Sequence, residues 1–187
     1  MRYVISLLLC VVLNSSCTDD YKIKHQLDTL CKNPIIIPSE KMELVCGFNE
    51  KDRSLFKQRL VVYMDSTRCS SCAIKRLRDW ELLHEDLNEE VDLVFIFAPM
   101  KEEYERVRDA LCKEAISADV YVDKKQAFIR ENPHIPSNHK MHVFLLNEKD
   151  NVILVGNPLN NHKIRRMLYD VVQKKENSQL YEDIEYK

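Results

Sequence analysis

Glycine is nearly absent from this chain, since only Gly47 and Gly156 occur among its 187 residues. A phosphate-binding loop or a dinucleotide-binding fingerprint needs clustered glycines, because the backbone must approach the phosphates closely. The two glycines stand more than a hundred residues apart. The sequence therefore excludes P-loop ATPases and GTPases, and it excludes dehydrogenases of the dinucleotide-binding type.

An excess of basic residues is also missing, because 28 lysines and arginines stand against 30 acidic residues and the net charge is −2. This balance provides no positive field for nucleic acid, so no nucleic-acid partner is expected. Hydrophobic residues make up 45% and charged residues 31% of the chain, which is typical of a globular protein. The length suffices for one domain with a core. No motif implies an organic cofactor.

The first residues have the order of an export signal. Residues 1–16 carry one positive charge at Arg2, an apolar run from Val4 to Leu13, and small residues directly before Cys17. This order predicts a secretory signal peptide, and the apolar run is too short for a membrane-spanning helix. The alternative is a buried N-terminal helix or strand. Export would place the protein in a compartment where disulfides persist.

Cys17 and its surroundings resemble the lipobox of bacterial lipoproteins, although the usual leucine is one position early, at Leu13. The resemblance implies that Cys17 becomes the lipidated first residue of the mature protein. An acyl anchor would then hold the protein in the cell envelope, facing the periplasm or on the surface of the outer membrane. Residues 18–20 are similar to the acidic tag of surface lipoproteins from Bacteroidetes. The alternative for Cys17 is an ordinary cysteine after a soluble signal peptide.

Two cysteines separated by two serines carry the most informative chemistry. Cys69 and Cys72 follow an apolar run at residues 60–64 and precede an amphipathic stretch at residues 73–87. A dithiol at a strand-to-helix junction meets outward-pointing backbone N–H groups, which favour a thiolate. The alternatives are a static disulfide and two buried thiols. The flanking pattern favours a redox-active pair.

Strands and helices alternate along the rest of the chain. Buried strands are predicted at residues 60–64, 91–97 and 120–122, and residues 142–147 and 151–155 are predicted to form a hairpin. Amphipathic helices follow or separate these strands. Strand–helix–strand crossovers imply parallel pairing, so we expect an α/β fold with a mixed central sheet flanked by helices. The dithiol lies where such sheets place their active sites, at the carboxyl end of a strand.

On these motifs the chain resembles the thioredoxin-like superfamily, and within it the redoxins and lipoproteins of the TlpA/ResA type. The resemblance covers residues 55–175. It rests on the strand with its CxxC motif, on the helix that carries Trp80, and on the hairpin at residues 143–153. It implies a thioredoxin-like fold and a thiol–disulfide oxidoreductase in which Cys69 attacks and Cys72 resolves. The implied partners are exported proteins with dithiols or disulfides, and an upstream reductant.

Two features depart from the pattern of that family. The family places Trp or a small residue and Pro around the motif, whereas this chain has Arg68 before Cys69 and has Ser70 and Ser71 inside. The family cis-proline that faces the dithiol corresponds to Met141 here. Arg68 is expected either to stabilise the thiolate or to be a solvated loop charge. The serines are expected to cap the helix and hydrogen-bond the thiolate, or else to be loop residues.

Two functions of other classes remain open. Histidines and a methionine cluster near the loop expected to face the dithiol, and Cys, Met and His ligands suit Cu(I). In this alternative Cys69, Cys72 and His142 hold a metal ion, whereas the redox hypothesis requires none. The second alternative is a redox-inert lipoprotein of thioredoxin fold that only binds a partner. The missing cis-proline leaves this alternative open.

The remaining cysteines and two acidic residues have simpler interpretations. Cys31 and Cys46 are predicted to form a structural disulfide, or else to be buried free thiols. Cys112 is predicted to pack in a helix as a small hydrophobic residue. Asp65 and Glu43 are candidates for a proton-relay role, and the alternative is that both are solvated.

These observations divide the chain into four segments. They are a lipoprotein signal peptide at residues 1–16, a tether and N-terminal extension at 17–54, a thioredoxin-like domain at 55–175, and a polar C-terminal tail at 176–187.

Overall fold

The structure is a computed structural model that describes residues 20–47, 58–87, 91–114 and 116–185. The predicted signal peptide and the predicted lipidation site Cys17 lie outside these residues.

Helices and strands alternate along the described residues, as the sequence predicts. The helices are α1 (20–32), α2 (Ser70–Ile74), α3 (Leu77–Asp86), α4 (Tyr104–Leu111), α5 (Ala127–Glu131) and α6 (His162–Glu185). The strands are β1 (Glu43–Cys46), β2 (Arg59–Met64), β3 (Asp92–Phe97), β4 (Asp119–Val122), β5 (Val143–Leu146) and β6 (Val152–Val155). Short 3-10 helices lie at Ser39–Lys41, Lys101–Glu103 and His139–Met141.

The six strands form one mixed sheet in the order β1-β4-β3-β2-β5-β6. The three central strands β4, β3 and β2 are parallel, whereas β1 and the hairpin β5–β6 run antiparallel to their neighbours. Strand β2 pairs on both sides, so that Val62 faces Phe95 of β3 and Val143 of β5. The predicted mixed sheet and the predicted hairpin are therefore confirmed.

Both faces of the central sheet are buried, because its strands are continuous apolar runs. Alternate residues of β3 point to opposite faces, with Phe95 in one core cluster and Ile96 in the other. Helices α3, α4 and α6 cover the first face. Helices α1 and α5 cover the second face, through Leu30 and Phe128. The Phe95 ring meets the edge of Trp80 from α3 at a centroid distance of 6.0 Å.

The described part of the N-terminal extension, residues 20–47, packs onto this sheet. Strand β1 forms an edge of the sheet by pairing with β4. The backbone N–H of Ile35 donates to the carbonyl of Asp150 in the β5–β6 turn, at 2.8 Å. The buried Asn132 accepts from the Ile36 N–H and donates to the Ile36 carbonyl. Leu30, Ile35 and Met42 of this segment also belong to the second core cluster, so residues 20–47 are part of the same domain as the sheet.

The last helix, α6, extends to Glu185 and so includes most of the predicted polar C-terminal tail at residues 176–187. Its buried contacts come from Leu168 and Val172, which join the first core cluster. Within the described residues, none of the helices combines the length and apolar character needed to cross a bilayer.

Replacing Phe95 with alanine is expected to lower the free energy of unfolding by about 3–5 kcal/mol. The ring is fully buried, and its removal leaves a cavity beside Trp80. Urea unfolding followed by circular dichroism measures the change. The control is Ile153→Ala on β6, because this side chain is 40% exposed and should lose less than about 1 kcal/mol. Equal losses in the two variants would contradict the described core.

Candidate active site

Cys69 and Cys72 form a disulfide bond, and their Cα atoms are 5.3 Å apart. This separation lies within the ordinary range for bonded cysteines. Both residues are exposed, whereas Ser70 between them is buried. The disulfide is therefore accessible to another protein and is not a buried structural bond.

The position of the disulfide follows from the end of strand β2. The chain leaves the sheet after Met64 and turns at Asp65, whose Oδ1 accepts hydrogen bonds from the backbone N–H and hydroxyl of Thr67 at 3.0 and 2.6 Å. The Arg68 N–H donates to the Asp65 carbonyl at 3.2 Å. An aspartate that binds the backbone two residues on is a common stabiliser of such turns. The turn delivers Cys69 directly to the start of α2.

Cys69 occupies the N-cap position of α2, and its own sulfur is the capping group. The Cys72 N–H donates to the Cys69 Sγ at 3.3 Å and also contacts the Cys69 carbonyl at 3.1 Å. A helix N-terminus leaves N–H groups without intrahelical acceptors, and an anionic sulfur is a strong acceptor for them. After reduction, this N–H would favour the thiolate at Cys69.

The serines do not cap the helix as predicted, because Cys69 takes that position. Ser70 and Ser71 are the first two residues of α2, with Ser70 buried and Ser71 exposed. The helix predicted at residues 73–87 is also interrupted, since α2 ends at Ile74 and α3 begins at Leu77.

Met141 lies in the core. It ends the 3-10 helix before β5 and belongs to the second core cluster, with only 4% of its surface exposed. Every peptide bond among the described residues is trans, including the one before Met141. The position that the family resemblance assigns to a cis-proline therefore has an ordinary peptide bond and a buried apolar side chain.

His142, the next residue, is buried and directly precedes β5. Because β2 and β5 run antiparallel, the end of β2 meets the start of β5, and the Tyr63 N–H donates to the His142 carbonyl at 2.8 Å. The imidazole Nδ1 lies 3.5 Å from Oδ2 of Asp65, in the turn that leads to Cys69. The sequence predicts separate roles for Asp65 and His142, and the sheet brings the two side chains together.

The tautomer of His142 follows from its hydrogen bond. The Nε2 atom lies 2.8 Å from the Pro136 carbonyl, which can only accept, so Nε2 carries the proton. In the neutral ring the Nδ1 lone pair then faces the Asp65 carboxylate, and Nδ1 has no hydrogen-bond partner. One added proton between Nδ1 and Oδ2 would convert this contact into a hydrogen bond.

Burial lowers the pKa of His142, because the charged imidazolium loses its hydration. The Pro136 carbonyl and the Asp65 carboxylate act in the opposite direction, whereas the nearby Arg68 and His139 add to the lowering. The net direction is downward, so His142 is neutral at neutral pH. Arg68, the residue before Cys69, therefore brings positive charge to this group of residues.

The described residues contain no group of three or more His, Cys, Asp or Glu side chains that converge on a metal position. In the proposed metal set, Cys69 and Cys72 are bonded to each other, and the Nε2 atom of His142 is used by Pro136. Thiolates bind metals, but disulfide sulfurs have lost that capacity. The alternative metal site is not formed in this structure.

The predicted disulfide between Cys31 and Cys46 is wrong, since both are free thiols. Cys31 lies near the end of α1, beside Leu30, which packs in the second core cluster. Cys46 ends β1 and packs against the first cluster, on the other face of the sheet. The sheet therefore separates the two sulfurs. Cys112, predicted to pack as a small hydrophobic residue, is exposed at the end of α4.

The strand order and the position of the dithiol define the fold. A CxxC motif follows a central parallel strand, begins a helix, and has the antiparallel hairpin β5–β6 beside it. The fold is thioredoxin-like. The fold class that the sequence predicts is therefore confirmed.

Three solved structures similar to this chain belong to thioredoxin-like proteins. StoA from Bacillus subtilis is 21% identical, over 54% of this chain and 74% of StoA, with a TM-score of 0.40. A thioredoxin-like protein in its oxidised form is 12% identical, over 73% and 94% of the two chains, with a TM-score of 0.48. The bacterioferritin comigratory protein from Xanthomonas campestris, studied for alkyl peroxide reduction, is 13% identical, over 65% and 83%, with a TM-score of 0.42. Neither a model of a protein family nor a curated protein matches this chain.

The free energy of unfolding is expected to decrease as the pH falls below about 6.5, the ordinary pKa of histidine. The unfolded His142 binds a proton more readily than the folded one, because burial lowers its folded pKa. The contribution of the neutral His142 to the free energy of unfolding is complete above about pH 6.5. It is lost as the pH falls from there to the pKa of His142 in the folded protein. His134, whose pKa burial also lowers, contributes in the same direction.

Urea unfolding of the wild type and of His142→Gln between pH 5.5 and 7.5, a window around the ordinary histidine pKa of about 6.5, measures this contribution. The glutamine variant should have a shallower pH dependence, because its amide donates to Pro136 without titrating. His162→Gln, at an exposed position at the start of α6, is the control. A His142→Gln protein with the full wild-type slope would contradict the assignment.

Proposed function

We propose that this protein is a thiol–disulfide oxidoreductase that uses Cys69 and Cys72. The observation that supports it is an exposed disulfide at the start of a helix, whose first sulfur accepts a backbone N–H. Exposure allows a partner sulfur to approach, and the N–H stabilises the leaving or attacking thiolate. A redox-inert protein has no need of an accessible disulfide in this position.

The reaction is an exchange in two steps. In the reduced protein the Cys69 thiolate attacks a partner disulfide, which forms a mixed disulfide and releases one partner thiolate. Cys72 then loses its proton and attacks the Cys69 sulfur, which re-forms the disulfide and releases the second partner thiolate. Two electrons pass to the partner, and its two thiolates take up protons. The reverse sequence, from the oxidised protein, oxidises a partner dithiol.

The partners are other proteins with dithiols or disulfides, and a reductant or oxidant that restores the pair. The direction of electron flow depends on the reduction potential of the Cys69–Cys72 pair against that of its compartment. Positive charge from Arg68 favours the thiolate, and a stabilised reduced form makes a disulfide more oxidising.

We also propose that the protein is exported and lipid-anchored through Cys17 in the cell envelope. The support is the order of residues 1–17, with a positive charge, an apolar run and small residues before the cysteine. This location provides the oxidising environment in which an exchange disulfide operates.

Cys72→Ser is expected to accumulate a mixed disulfide at Cys69, because the resolving thiol is missing. The reduced variant is incubated with glutathione disulfide, and the adduct is located by peptide mass spectrometry. Cys69→Ser should form at least ten-fold less adduct at position 72. The remaining thiol, Cys72, is not the sulfur that accepts the backbone N–H at the start of α2. A ten-fold rate difference corresponds to about 1.4 kcal/mol.

The matched control for both variants is Cys31→Ser, an exposed free cysteine on α1. Its Cys69–Cys72 pair should exchange at the wild-type rate. Equal reactivity at positions 69 and 72, or no exchange by the wild type after reduction, would overturn the proposed oxidoreductase.

Cys17→Ala is expected to abolish the incorporation of labelled palmitate and to release the protein from the membrane fraction of expressing bacteria. An acyl chain contributes about 0.8 kcal/mol for each buried methylene group, so its loss removes the anchor. Cys10→Ala, within the predicted signal peptide, is the control and should retain the label. Unchanged labelling of Cys17→Ala would rule out this anchor.

A further inference from the structure

A second pair of cysteines lies at the opposite edge of the sheet from the hairpin. Cys46 ends the edge strand β1, and Cys112 is the residue that follows the last turn of α4. Both are free thiols in this structure. Cys46 is half-buried and Cys112 is exposed.

A hydrogen bond brings the two residues together. The Cys46 thiol donates to the carbonyl of Leu111 at a sulfur–oxygen distance of 3.6 Å, and Leu111 is directly bonded to Cys112. Standard bond lengths then place the Cys46 sulfur no more than about 8 Å from the Cα atom of Cys112. Burial raises the pKa of Cys46, and the proximity of Cys112 adds to the rise. The Cys112 thiol is therefore close enough to Cys46 to affect the charge on its sulfur.

The backbone around the pair allows a small adjustment. Cys112 terminates α4 and is followed by turn residues that are exposed at 113 and 114, so its side chain can rotate towards β1. The register of β1 shifts between Leu44 and Cys46, an irregularity that already displaces the strand end. Strand β1 has no strand on its outer side in the described sheet. The residues that must move are thus at the end of a helix and at the end of an edge strand.

We propose that Cys46 and Cys112 are a second redox site, which closes to a reversible disulfide between β1 and α4 when a disulfide oxidant is present. The exposed Cys112 thiolate attacks the oxidant disulfide and releases one thiolate. Cys46 then loses its proton, attacks the Cys112 sulfur of the mixed disulfide, and releases the second thiolate. The oxidant gains two electrons, and its two thiols carry the two protons.

This site does not rest on the function proposed for Cys69 and Cys72. Strand β1 lies three strand spacings from β2, or about 14 Å across the sheet. Cys46 also points into the first core cluster, whereas Cys69 lies beyond the end of β2. The two pairs therefore react separately, and the oxidation of one can be measured while the other is followed independently.

The test treats the full chain with glutathione disulfide and maps disulfides by mass spectrometry without reduction. We expect a linked peptide that contains Cys46 and Cys112. The thermal midpoint Tm should rise by about 5 °C or more, because the bond joins residues 66 positions apart and restricts the unfolded chain. Dithiothreitol should reverse the mass change and the shift in Tm together.

Two single variants provide the controls. Cys112→Ser, at an exposed position, should lose the linked peptide and the rise in Tm while it folds normally. Cys31→Ser removes another exposed free cysteine and should retain both. Recovery of Cys46 and Cys112 as separate glutathione adducts, as unmodified thiols, or linked to other cysteines would overturn the proposal. These outcomes leave the exchange at Cys69 untouched, so the two proposals fail independently.

Discussion

Strand β2 pairs with a neighbour on each side, and this pairing positions both the sheet and the disulfide. Its apolar run is buried on both faces, parallel to β3 and antiparallel to β5. The register places Val62 opposite Phe95 of β3 and Val143 of β5. The end of β2 then determines where the chain leaves the sheet, and the Asp65 turn carries it to Cys69. The disulfide is exposed because it stands one turn beyond the last buried strand residue.

The same pairing creates the electrostatic environment of the site. Since β5 starts where β2 ends, the buried His142 is placed against Asp65, with Arg68 near it. A neutral ring that donates to Pro136 presents an unpaired nitrogen to a carboxylate, and a buried polar atom without a partner costs free energy. The site thus contains a proton-accepting contact beside a turn that holds a disulfide.

Local patterns in the sequence predict the parts of the fold that depend on neighbouring residues. The CxxC motif between strand and helix, the α/β alternation and the hairpin are all present in the structure, because apolar periodicity and turn residues act over a few positions. The prediction of a Cys31–Cys46 disulfide is wrong, because the sheet face on which each cysteine lies depends on the arrangement of all the strands. The serine caps fail for a different reason, since Cys69 itself is able to accept the backbone N–H that a serine oxygen was expected to accept.

Three properties can be predicted without the structure: the fold class, the place of the dithiol at the end of a strand, and the exclusion of nucleotide-binding loops. These properties follow from composition, periodicity and spacing along the chain. Which distant residues meet becomes known from the folded chain, because contacts between strands join positions that are far apart in sequence. The folded chain brings His142 to Asp65, buries Met141 in the second core cluster, and places Cys46 beside Cys112 instead of Cys31. The chemistry of each site therefore depends on the order of the strands as much as on the residues themselves.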